Sequence, residues 1–156
     1  MITFVYGGSV SKSIFLPFEL QCIRKELPVV GPVEDWERKR KMKKRKVIID
    51  CDPGINDSLA IMLALQSEEL EIVGITIVCG NCPVEMGFGN AKKVLKHMGR
   101  FDVPVYIGVE KPLRREYVNA LDTHGEDGLG ESFLPEVEGF RQEMGAVEFL
   151  ASKLKE

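Results

Sequence analysis

Apolar and polar positions fall into blocks of two different periods once the chain passes residue 46. Val47, Ile48 and Ile49 form a β-branched apolar run closed by Pro53-Gly54, which predicts a short buried strand ending in a turn. Leu59, Ala60, Met62, Leu63, Ala64 and Leu65 then predict a helix beginning near Ser58, capped by Asn56 or Asp57 and ending over 66–69. A helix this apolar is expected to lie buried against a sheet. Residues 71–78, EIVGITIV, are almost continuously apolar, as in a parallel strand covered on both faces. The spacing makes this strand, helix and strand a right-handed βαβ unit. A second helix is predicted over 84–97, with Met86, Ala91, Val94, Leu95 and Met98 as its buried stripe. A third strand follows over 103–107, its proline near the start where a missing donor is tolerated. Residues 108–140 read as loop, and 144–156 as an amphipathic helix with Ala146, Val147, Phe149, Leu150 and Leu154 inward. The alternation predicts an α/β fold: a doubly wound, mostly parallel sheet with helices on both faces and ligands at the carboxyl ends of its strands.

The chemistry lies at the first of those strand ends. Asp50 and Asp52 are two residues apart, so an extended backbone points their side chains the same way, and Asp57 follows at the helix start. Three carboxylates expected in one small volume repel one another unless a cation lies between them, and a hard divalent ion with oxygen ligands suits the set. The alternative is that the aspartates are solvated turn residues.

Residues 50–60, DCDPGINDSLA, resemble the DTDPGxDDxxA signature of the inosine/uridine-preferring nucleoside hydrolases. Two more matches follow in order: VCGN at 78–81 resembles the family's VxGN, and HGEDGLG at 124–130 its HGxxGL loop. The resemblance implies a Ca2+-dependent hydrolase that cleaves the N-glycosidic bond of ribonucleosides to ribose and free base. By position, Asp52 resembles the metal-ligating carboxylate that also acts as general base, Asp57 the principal calcium ligand and Asp50 the supporting aspartate of the signature. Asn81 resembles the asparagine near the ribose, and His124 a residue lining the substrate pocket. Asn56 stands where the family usually has a second aspartate, associated with a ribose hydroxyl. It can hydrogen-bond there but brings no charge. The match corresponds to the amino-terminal half of the family fold.

This divides the chain. Residues 42–156 read as the amino-terminal part of a nucleoside hydrolase domain. Residues 1–41 have no sustained periodicity, lead into the basic run over 38–46 and read as an extension or linker. Starting at Met42 gives MKKRKVIIDCDPG, a layout that resembles a family member's own start.

Composition narrows the partners. The chain has 156 residues with 44% hydrophobic and 29% charged, ordinary usage for one globular domain. A net charge of -3 and a basic run without interleaved aromatics argue against nucleic acid. No apolar stretch is long enough for a membrane helix, and the apolar residues around Phe15 follow no basic segment, so a cytoplasmic protein is expected. Cys79 and Cys82 form a CxxC that superficially suggests a redox pair, whereas Cys22 and Cys51 read as incidental thiols. The formal glycosylation sequon at Asn56 has no meaning in that compartment.

Two other readings compete. A half-fold could be a catalytically inactive remnant, whose unpaired sheet edge predicts self-association and hence a homo-oligomer. An Asp-x-Asp after an apolar strand also occurs in magnesium-dependent phosphohydrolases of the haloacid dehalogenase type. Against that stand Pro53-Gly54 after the second aspartate and the lack of a phosphate-binding glycine motif.

Overall fold

The computed structural model describes the backbone of residues 3–6 and residues 44–139 and 142–155 in full. Most of the extension read over 1–41, with Cys22, Met42 and most of the basic run, lies outside the described residues. Strand β1 (Thr3–Tyr6) and strand β2 (Arg45–Cys51) are followed by helix α1 (Ile55–Gln66) and strand β3 (Leu70–Ile77). Helix α2 (Val84–His97), strand β4 (Val105–Ile107), the short helix α3 (Leu121–His124) and helix α4 (Ala146–Lys153) complete the order.

The strands lie side by side as β1-β2-β3-β4. β2, β3 and β4 run parallel, joined by α1 and α2, and β1 pairs antiparallel on the outer edge of β2, with Tyr6 opposite Val47 and Thr3 opposite Asp50. The core is built from the strand interiors and one face of each crossover helix. Ile49, Ile75, Ile77, Val103 and Val105 are almost fully enclosed, with Ile61 of α1 and Ala91, Val94 and Leu95 of α2 against them. Helices occupy both faces. Ile77 meets α2 at Gly87, whereas Gly74, three residues away on a strand and so on the opposite face, meets Phe149 of α4. The doubly wound, mostly parallel arrangement expected from the pattern is therefore present. No helix among the described residues is long and apolar enough to cross a membrane.

The helices depart from expectation in detail. α1 begins at Ile55, with Gly54 at its N-cap position, so Asn56 and Asp57 lie inside its first turn and cap nothing. It buries Asp57, Ser58, Ile61, Ala64 and Leu65, while Leu59 and Leu63, four apart on another face, are 61% and 75% exposed. In α4 Ala146 and Phe149 are buried, but Val147 and Leu154 face outward. α2 matches its expected bounds, but its buried stripe runs through Val84, Phe88 and Asn90, with Met86 and Met98 only partly covered. Pro104 falls just outside β4, and its carbonyl accepts the Ile75 amide at 3.0 Å.

Candidate active site

The turn from β2 into α1 brings Asp52 and Asp57 together. Asp52 follows the last residue of the strand, and its amide donates to Asp57 Oδ2 at 3.1 Å. Burial pushes the Asp57 carboxyl up to about 6, and the negative charge of Asp52 beside it adds to the rise. Asp50 is engaged elsewhere, its Oδ1 accepting the Thr76 hydroxyl at 2.6 Å across the β2/β3 ladder. The convergence expected of three carboxylates is tightest for two, and among the described residues no three His, Cys, Asp or Glu side chains cluster to hold a metal on their own.

Asn81 fixes Asp52 from the neighbouring strand end. Its amide donates to Asp52 Oδ2 at 2.8 Å and its side-chain nitrogen to the Asp52 carbonyl at 3.1 Å. Its own carbonyl accepts the amide of Ala120, which ties the loop before α3 to the same point. Gly80 allows this approach, since a Cβ built on it would lie 1.9 Å from Asp52 Oδ2. Asn56, one turn position before Asp57, is exposed.

His124 is buried, and its Nδ1 accepts the amide of Ile55, the first residue of α1, at 3.2 Å. The loop behind it is organised by Asp127. That carboxylate accepts the amides of Leu129, Glu131 and Phe133 and the Ser132 hydroxyl, at 2.8 to 3.2 Å. Partial burial raises the Asp127 pKa, and these donors outweigh it and hold the carboxyl below its usual value. Asn90 of α2 joins the two loops by donating to the carbonyls of Pro53 and Asp127, each at 3.1 Å.

Cys51 and Cys82 are buried and serve packing. Cys51, Cys79 and Cys82 are free thiols, and Cys82 Sγ donates to the Pro53 carbonyl at 3.4 Å. Burial pushes Cys82 up to about 12, with Asp52 and Asp57 adding to the rise, the opposite of the lowered value a redox thiolate needs. Cys51 is likewise raised by burial and by the surrounding aspartates.

Sequence reasoning missed Tyr117 and Ser58. The Tyr117 hydroxyl is buried without a hydrogen-bond partner, and its pKa is raised by burial and by nearby Cys82, Cys79 and Asp52. Ser58 Oγ, next to Asp57 in the chain, is also buried without a partner. Nothing in the pattern of 108–120 marks Tyr117, whereas the run Asn56-Asp57-Ser58 did mark a polar helix start. Oxygen donors of this kind, two carboxylates close enough to raise the affinity of one for a proton, fit a hard divalent cation.

Known proteins share this arrangement of segments. The family model of the inosine-uridine preferring nucleoside hydrolases matches residues 47–156. The pyrimidine-specific ribonucleoside hydrolase RihA of Shewanella woodyi is 42% identical over 112 residues, covering 72% of this chain and 36% of the relative. RihA of Salmonella typhimurium is 44% identical over 110 residues, 70% of this chain and 35% of that protein. A plant nucleoside hydrolase structure superposes with a TM-score of 0.69 and 36% identity over 72% of this chain and 36% of its own. A purine-preferring ribonucleoside hydrolase from Gardnerella vaginalis gives a TM-score of 0.67 at 32% identity, over 71% of this chain and 36% of its own. The chain thus spans about a third of the length of the relatives it matches. From the first core strand to its last residue, it belongs to the inosine-uridine preferring nucleoside hydrolase family.

Proposed function

We propose that the chain contributes the carboxylate side of a calcium-dependent ribonucleoside hydrolase site, which cleaves the N-glycosidic bond to give ribose and a free base. The observation that carries this reading is the Asp52 and Asp57 pair at the carboxyl end of β2, held from the β3 side by Asn81. Asp52 and Asp57 are the residues that would hold calcium, with Asp50, two residues before Asp52, as the supporting aspartate. When bound, the ion would acidify a water and fix its position. Asp52 then takes the proton from the attacking water as general base. Asn56, exposed at the head of α1, and Asn81 donate to ribose hydroxyls as C1′ gains positive charge in an oxocarbenium-like transition state. The buried, unpartnered hydroxyl of Tyr117, near Cys82, Cys79 and Asp52, is a further donor.

Ribose release from a panel of purine and pyrimidine nucleosides, with calcium and with chelator, tests the proposal. Chelator-sensitive release that Asp52→Asn abolishes is the expected result. Calcium binding without release from any nucleoside would overturn the catalytic part and leave the chain as the metal-holding portion of the family fold.

A further inference from the structure

Helix α1 carries the buried aspartate, yet it has no cap of its own. Its N-cap position is Gly54, which offers no side-chain acceptor to the free amides of the first turn. The Ile55 amide donates instead to His124 Nδ1, 69 residues further along the chain. The ring lies so close over Gly54 that a Cβ there would stand 2.7 Å from Nδ1, so the glycine makes room for the cap. Accepting through Nδ1 leaves the imidazole neutral with its proton on Nε2.

His124 is itself held in place. Its carbonyl accepts the Gly130 amide at 2.7 Å, and Asp127 gathers the rest of that loop. Asn90 clips the loop to the Pro53 carbonyl, on the same turn that the imidazole caps. The HGEDGLG segment therefore holds the β2/α1 turn at two points, directly at Ile55 and through Asn90 at Pro53. Between Asp52 and Ile55 there are only Pro53 and Gly54, so fixing those two points fixes the approach of Asp57 to the Asp52 amide.

We propose that His124 is a positioning residue: through Nδ1 it holds the amino end of α1 and so sets where Asp57 stands relative to Asp52. The inference rests on the nucleosidase reading only for the purpose those carboxylates serve. The cap itself is measurable on the metal-free chain, so its failure and that of the hydrolase proposal are separable.

Histidine nitrogen NMR and amide hydrogen exchange on the intact chain provide the test, and with two histidines in the sequence the spectra are simple to assign. His124 is expected as the Nε2–H tautomer at neutral pH. In H124L, which removes the acceptor, the amides of Ile55 and Asp52 should exchange about tenfold faster or more while those of Ile75 and Ile77 in β3 stay protected. In H124N, whose Oδ1 takes the place of Nδ1, both amides should remain within about threefold of wild type. A protonated Nδ1, unchanged exchange at Ile55 in H124L, faster exchange at Ile55 with none at Asp52, or equal losses in H124L and H124N would each overturn the proposal. If H124L unfolds altogether, the tautomer and the H124N exchange decide it.

Discussion

Gly80 has no side chain because Asp52 occupies the space where one would go. Gly80→Ala must push aside either the carboxylate or the strand end, and overpacking of this kind costs roughly 1 to 3 kcal/mol. The expected result is a lower urea midpoint together with faster exchange of the Asn81 amide, which loses Asp52 Oδ2 as its acceptor. Asp57 gives the opposite of the usual carboxylate behaviour. Its folded pKa of about 6 lies above the ordinary 3.8, so the stability it contributes is fully present below pH 3.8 and is lost as pH rises through 6. Urea titrations of the metal-free chain should show a decline on the order of 2 to 3 kcal/mol over that window, and Asp57→Asn should flatten it. Calcium should raise the midpoint more at pH 7 than at pH 5, where a proton competes for Asp57. The meeting of Asp52 with Asp57 was readable because Pro53-Gly54 must turn the chain and both residues lie within six positions. Thr76, Asn90 and Tyr117 were not, since the partners of Thr76 and Asn90 lie 26 and 37 residues away and the loop of Tyr117 has no period to place it.

At the scale of elements, α1 depends on distant parts of the chain at both ends. His124 takes its first amide, and Arg100, paired with Asp102 at 2.8 Å, donates to the Leu65 carbonyl near its last turn. Local capping signals could not have located either end, which explains why the expected start fell three residues late. Strand and helix existence was legible because β-branched runs and apolar stripes are local properties. Which apolar residues are covered was not, since Leu59 and Leu63 look as buried in sequence as Ile61 and Leu65. α4 shows how a single contact can hold an element. Phe149 stacks on Tyr106 of β4, ring centroids 3.8 Å apart, and presses on Gly74, where a Cβ would lie 2.8 Å from its ring. Phe149→Ala should therefore destabilise the chain by about 3 kcal/mol, read as a drop in the urea midpoint, because that side chain is the main buried body of the helix.

For the whole molecule, the strand order has two different ends. β4 presents one side to β3, and among the described residues no strand covers its other side. The exposed edge, together with the outward Leu59, Leu63 and Val147, supports the expectation of self-association. Sedimentation over a concentration series should show it, and a charged residue in place of the exposed Leu63, which leaves the core untouched, should weaken it. At the other end β1 lies antiparallel along β2, and among the described residues no strand covers its outer side. A sheet with both outer strands uncovered can add a copy at either edge, so pairing at one edge leaves the other open. Association through the edges therefore has no built-in last step, and the species seen in sedimentation should go on growing with concentration instead of stopping at a pair.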